Sequence, residues 1–134
     1  LVANAVALAV VGFGLERFTT RWRFHEFFLV TGAVAGIVHL LATGLVGQSV
    51  GVLGASGAVL ALYGYVLASN RLTGGVLSRL GLRRRWTVAL VVVLALTVTW
   101  VTSGPGVAPV AHFSGVVLGL VAGRYRVLAP AATD

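Results

Sequence analysis

The sequence contains no cysteine, and only three of its 134 residues are acidic. Without cysteine the chain can form no disulfide bond, no thiolate nucleophile and no cysteine metal site. Charged residues make up 10% of the chain, whereas a typical soluble domain carries about a quarter. These shortages exclude thiol chemistry and argue against a soluble domain.

Apolar residues are abundant instead, at 58% of the chain with a mean hydropathy of +1.00. A membrane-spanning helix needs about 20 apolar residues. Five runs reach or approach that length, namely 1–14, 24–45, 54–69, 86–101 and 107–123. Open sheet edges cannot be satisfied in lipid, and the runs lack the alternation of a membrane barrel. We therefore predict an all-α, polytopic transmembrane helix bundle with five spans in this chain.

The charges predict how this bundle is oriented. All ten basic residues are arginines, giving a net charge of +7, and they lie in the first connection, the third connection and the C-terminal region. In a bundle of five spans these three places share one side, which the positive-inside rule makes cytoplasmic. We expect a multi-pass protein of a prokaryotic plasma membrane, with connection 70–85 inside and connections 43–53 and 102–106 outside. Residues 83–85 are interpreted as a topology signal in preference to a lipid site.

The same charge in a soluble protein would suggest nucleic-acid binding. Here too little of the chain lies outside the bilayer to form a binding face, so we expect no nucleic-acid partner.

Three polar residues fall at similar depth in the predicted membrane. At a rise of 1.5 Å per residue, Asn4 and His112 lie about 18 Å, and Ser56 about 22 Å, from the nearest cytoplasmic charge. All three therefore belong to the outer half of the bilayer. Polar groups at such depth are buried in the bundle or line a water-filled cavity.

Small residues predict how two of the helices meet. One face of the third run carries Gly57, Ala61, Gly64 and Ala68, and one face of the fifth carries Gly115, Gly119 and Gly123. This small-xxx-small spacing lets two helix backbones approach closely. The crossing would bring Ser56 and His112 within hydrogen-bond reach. The alternative is a tightly packed bundle without chemistry, in which the serine bonds to a backbone carbonyl.

Four motifs, in order along nearly the whole chain, resemble those of rhomboid intramembrane serine proteases. Gly54-Ala55-Ser56-Gly57 resembles the family's Gly-x-Ser-Gly, and Ala111-His112 with Gly115 and Gly119 resembles its Ala-His-x-x-Gly-x-x-x-Gly helix. Leu1-Val2-Ala3-Asn4 resembles the end of His-x-x-x-Asn, and Gly12, Leu15 and Glu16 resemble the Gly-x-x-Leu-Glu close of that helix. The resemblance assigns the chain to helices two to six of a six-helix core.

The resemblance implies a rhomboid-like transmembrane domain over residues 1–126, lacking its first helix, and a C-terminal tail over 127–134. It implies Ser56 as the nucleophile, His112 as the general base and Asn4 as an oxyanion-hole donor. It further implies transmembrane protein substrates in the lipid bilayer and no cofactor. Rhomboids often carry a tyrosine four residues after the nucleophile that packs against the histidine, where this chain has Leu60. Because the first helix, its loop and the motif histidine would precede Leu1, we expect residues 1–134 alone to be inactive or unstable.

The distribution of acids predicts a dyad. A serine hydroxyl needs a base to accept its proton, and histidine, which titrates near neutrality, is suited to this role. A triad would require a carboxylate beside His112. The only acids are Glu16, Glu26 and Asp134, all of which we place on the cytoplasmic side.

Rival hydrolytic chemistries lack residues that they require. His25-Glu26 begins the metalloprotease pattern H-E-x-x-H, but Leu29 stands where the second histidine belongs. An aspartyl dyad needs two intramembrane aspartates, and the only aspartate is the last residue. The hydrolase elbow G-x-S-x-G fails because Ala58 replaces its last glycine.

His39, near the outer end of the second run, raises the question of a metal site. A zinc site built on His39 and His112 lacks the further ligands that zinc requires. We therefore interpret His39 as a packed or water-facing histidine and expect no metal.

Two other classes of function remain open. A catalytically silent rhomboid-like protein that binds client transmembrane segments would normally lack the serine or the histidine. A transporter or channel would place ionisable residues along a path across the whole membrane, whereas polar groups here cluster in the outer half. We therefore predict an intramembrane serine protease that cleaves transmembrane substrates near the outer face.

Overall fold

A computed structural model describes residues 2–46, 55–69, 84–102 and 108–129, and these ranges contain five helices and no strand. They are α1 (Val2–Glu16), α2 (Arg21–Leu45), α3 (Ser56–Ser69), α4 (Arg84–Thr102) and α5 (Pro109–Arg124). Each helix corresponds to one apolar run, so the protein is all-helical over the described ranges. Outside these ranges lie most of the three connections 43–53, 70–85 and 102–106, and residues 130–134 of the predicted tail.

Local chemistry explains where two helices begin. Thr20 is extended, with φ −79° and ψ 150°, and its side chain accepts a hydrogen bond from the Arg23 N–H at 3.4 Å. This N-cap starts α2 at Arg21, three residues before the predicted run. Pro109 opens α5, a position at which its missing N–H costs nothing.

Helix α3 lies at the centre of the bundle and crosses α5 at very short range. A Cβ added to Gly115 would collide with the backbone carbonyl of Gly57, and one added to Gly119 would collide with that of Ala61. Gly57, Ala61, Gly115 and Gly119 are the small residues whose spacing predicts close packing, and their backbones are in contact. On the other side, a Cβ on Gly57 would lie 3.0 Å from the Cβ of Ala35 in α2. Three helices therefore meet around the first turn of α3.

The largest buried cluster lies towards the opposite end of α3. Phe27 and Tyr65 pack edge to face with ring centroids 5.6 Å apart. The Tyr65 hydroxyl accepts a hydrogen bond from the Leu128 N–H at 3.2 Å, and Leu128 is buried in the same cluster. Leu128, which falls in the predicted tail 127–134, therefore packs against the bundle.

The helix ends divide the bundle into two ends. Arg23 Nη1 donates to the Ala129 carbonyl at 2.6 Å, which joins the start of α2 to the turn after α5. We call this the arginine end, defined by Arg17, Arg21, Arg23, Arg124 and Arg126. The other end holds the first residues of α1, α3 and α5 and the last residues of α2 and α4, and we call it the serine end.

Within the described ranges, α2 alone is both long and apolar enough to cross a membrane by length and composition. Four shorter apolar helical stretches accompany it, namely Asn4–Glu16, Ser56–Ser69, Val92–Thr102 and Pro109–Arg124. Large apolar side chains are exposed on the outer helices, including Phe13, Leu41 and Trp100.

Candidate active site

Ser56 and His112 meet at the serine end of the bundle. Ser56 is the first residue of α3 and is half-buried, whereas His112 lies in the first turn of α5 and is 5% exposed. The Oγ of Ser56 and the Nε2 of His112 are 2.8 Å apart, which is hydrogen-bond distance. The contact follows from the glycine crossing, because the two backbones touch at Gly57, the residue after Ser56, and at Gly115, one turn after His112.

Thr102, the last residue of α4, contacts the other ring nitrogen of His112. Its Oγ1 lies 3.0 Å from Nδ1 and donates its proton to the Val98 carbonyl at 2.7 Å. A hydroxyl that gives its one proton to Val98 can only accept from Nδ1, so this geometry favours the imidazole tautomer that carries its proton on Nδ1. The Nε2 lone pair then faces the Ser56 hydroxyl, which is the arrangement that a general base requires.

Thr102 is not among the site residues that the sequence predicts. Its spacing from Val98 indicates only the common backbone hydrogen bond of a helical threonine, and the sequence places residue 102 in the connection after the fourth run. Its contact with His112 depends on how α4 and α5 approach, which the spacing does not reveal.

Asn4 lies in the first turn of α1 and is half-buried. In the described part of the chain no hydrogen bond joins its side chain to Ser56 or His112. One turn further along α1, the Ala7 carbonyl accepts a hydrogen bond from the Tyr63 hydroxyl of α3 at 3.3 Å. Asn4 comes one turn before Ala7, and helical side chains lean towards the N terminus of their helix. The Asn4 side chain therefore lies at the serine end.

Leu60 occupies the position one turn after Ser56. It is half-buried and packs against the apolar cluster of Ala95, Val116 and Leu120 from α4 and α5. A leucine offers no ring for the histidine to stack on. Within the described ranges the His112 ring is held by polar contacts at both nitrogens, from Thr102 at Nδ1 and from Ser56 at Nε2.

His39 is 2% exposed, and neither ring nitrogen has a hydrogen-bond partner in the part of the chain that the structure describes. It lies one turn beyond Ala35 towards the serine end of α2. No group of three or more potential metal ligands occurs within the described ranges. Glu16 and Glu26 are exposed at the arginine end, far from His112.

A comparison with protein families matches residues 1–128 to the family described as Rhomboid domain. No curated protein and no solved structure matches the chain.

Proposed function

The chain belongs to the rhomboid family of integral membrane proteins, and on that premise we propose that it is an intramembrane serine protease. The observation that carries the proposal is the 2.8 Å contact between Ser56 Oγ and His112 Nε2. A catalytically silent family member that only binds clients has no need of this contact.

Ser56 is the nucleophile in this proposal, and His112 is its base. The Nε2 of His112 takes the hydroxyl proton as Oγ attacks the scissile carbonyl carbon, and later gives it to the leaving amine. Thr102 keeps the proton on Nδ1 and so preserves the acceptor at Nε2. It is a positioning residue, since it contacts the histidine and not the substrate.

The tetrahedral oxyanion would be stabilised by donors around the start of α3. The first helical hydrogen bond of this segment runs from the Val59 N–H to the Ala55 carbonyl at 3.0 Å. The amides of Ser56, Gly57 and Ala58 precede it, and such amides lack carbonyl partners within a helix. They also lie at the positive end of the helix dipole. The Asn4 side-chain amide is a further donor from α1.

The site lies at one end of the bundle, which indicates where the substrate is cut. We propose that all five helices span the bilayer, with the arginine end in the cytoplasm of a prokaryotic cell and the serine end near the outer face. A helical substrate hides its scissile carbonyl in its own hydrogen bonds. Small or helix-breaking residues near the cleaved bond would therefore favour cleavage.

Labelling with a fluorophosphonate probe tests the proposal, because the probe reacts with an activated serine hydroxyl. Membranes of cells that express the whole natural protein should label, and those with Ser56→Ala should not. Ser114→Ala is the matched control, since Ser114 is a half-buried serine of α5 whose hydroxyl bonds to the Val110 carbonyl. Equal labelling of the Ser56→Ala protein, or none of the folded wild type, would refute the protease.

A further inference from the structure

We propose that the protein binds an anionic phospholipid in a groove at the arginine end, between α1, α3 and the turn after α5. The groove has a volume of about 1140 Å³. Most of its wall is apolar and includes Val10, Leu15, Val66 and Leu128. Since an integral membrane protein is surrounded by lipid, an acyl chain is the apolar group available at this wall.

The charge at the groove is of one sign. Arg17 and Arg126 both line it, and none of its described lining residues is acidic. No ion pair with a carboxylate involves either arginine within the described ranges. Arginine binds phosphate groups through paired hydrogen bonds, and basic pockets between membrane helices bind anionic head groups. An apolar wall beside two arginines matches a phospholipid with a net negative charge.

The backbone fixes Arg126 at the groove. Its φ of 52° lies in the left-handed region, which a residue other than glycine seldom adopts. The Arg126 N–H donates to the Gly123 carbonyl at 3.1 Å, and its own carbonyl accepts from the Ala129 N–H at 2.9 Å. Tyr65 and Arg23 anchor the rest of this turn. Such a conformation persists where its surroundings impose it, and here it holds an arginine on the groove wall.

This lipid site does not depend on proteolysis, because it lies at the end of the bundle opposite Ser56. It requires only the membrane location that family membership gives. The alternative occupant is a part of this protein outside the described ranges, and the experiment distinguishes the two.

Native mass spectrometry of the purified protein in detergent tests the head-group contact. Phosphatidylglycerol should bind more tightly than phosphatidylcholine with the same acyl chains. Since each arginine near an anionic lipid contributes about fivefold, the double substitution Arg17→Gln and Arg126→Gln should weaken phosphatidylglycerol binding about thirtyfold. Arg124→Gln is the matched control, because Arg124 is exposed and lies outside the groove lining. It should leave the affinity unchanged.

A second variant tests the acyl-chain contact. Gly14 lines the groove, and an added Cβ there would meet nothing within 4 Å. Gly14→Leu should therefore begin in open space and narrow the groove. It should weaken binding of both lipids about tenfold, which corresponds to the loss of roughly two buried methylene groups. Gly36→Leu in α2 is the control, since a Cβ at Gly36 also meets nothing within 4 Å.

Several results would overturn the lipid site. Equal affinity of the wild type for both lipids would remove the charge recognition, and unchanged affinity in the folded Gly14→Leu protein would place the acyl chain elsewhere. Displacement of phosphatidylglycerol by an equal concentration of inorganic phosphate would indicate a phosphate site without a lipid. Failure of the folded wild type to bind phosphatidylglycerol would mean that the protein itself covers the groove.

Discussion

Thr102 distinguishes the Ser56–His112 pair from a chance contact between two polar side chains. In the Nδ1–H tautomer that the Thr102 contact favours, the imidazole presents its lone pair to the serine and not its proton. A rhomboid tyrosine would support the ring by packing, and Leu60 cannot do so by stacking. At this position the protein orients its histidine through a hydrogen bond from a neighbouring helix.

Thr102→Val should lower kcat about fivefold and leave KM unchanged, because a lost hydrogen bond costs about 1 kcal/mol and the substrate contacts stay. Steady-state cleavage of a transmembrane substrate measures both constants. Thr102→Ser should restore the rate. Thr97→Val is the control, since Thr97 lies on the same helix and also bonds to a carbonyl four residues back. Equal losses in the two valine variants would reduce Thr102 to a structural residue.

Asn4→Ala should lower the cleavage rate by about 10²–10³-fold if the amide is one oxyanion donor among several. The fold should survive, because Asn4 is only half-buried in the first turn of α1 and its side chain makes no hydrogen bond to Ser56 or His112 in the described ranges. The rate constant and the thermal unfolding midpoint are measured on the same preparation. An unchanged rate would leave the dyad in place and remove Asn4 from the oxyanion hole.

At the scale of helices, the crossing of α3 and α5 carries the site. A Cβ on Gly64 would lie 2.6 Å from the Val116 carbonyl oxygen, and one on Gly123 would collide with the Tyr65 carbonyl. The two backbones are thus in contact along the full length of α3. This contact fixes the position of His112 relative to Ser56, which lie 56 residues apart in sequence.

Gly115→Val should destabilise the protein by about 1–3 kcal/mol and reduce cleavage, because the added atoms force the two backbones apart. Thermal unfolding in detergent and the cleavage rate provide the measurements. Gly36→Val should change neither by much, since its Cβ enters open space. Wild-type stability and turnover in Gly115→Val would refute the crossing as the element that assembles the site.

At the scale of the whole molecule, the two ends of the bundle differ in charge and in chemistry. The five arginines that define the arginine end gather there, and the Arg23 side chain ties α2 to the turn after α5. The serine, the histidine and Asn4 lie at the other end. This division matches a membrane protein whose chemistry faces one side of the bilayer and whose positive charge faces the other.

Single cysteines introduced into this cysteine-free chain test the orientation. Val46, which is exposed just after α2, and Tyr125, which is exposed just after α5, lie at opposite ends. A membrane-impermeant thiol reagent added outside intact cells should label Val46→Cys and should label Tyr125→Cys only after the cells are opened. The reverse pattern would invert the proposed topology.

The sequence by itself determined the helical class, the approximate helices and the serine–histidine pair. Apolar runs suffice for the first two, because lipid allows few ways to satisfy the backbone. For the serine–histidine pair, glycines at helical spacing indicate which helix faces can touch, and the resemblance to the rhomboid motifs singles out Ser56 and His112. Helix ends were less predictable, since the Thr20 cap carries Arg21 and Arg23 into α2.

Only the tertiary structure decided which residues from other helices join these elements. Thr102 reaches His112 through the approach of α4 to α5, and Leu128 reaches Tyr65 through the turn after α5. The groove beside Arg17 and Arg126 arises from three separate segments. Such contacts depend on the relative positions of whole helices, and no local spacing in the sequence encodes those positions.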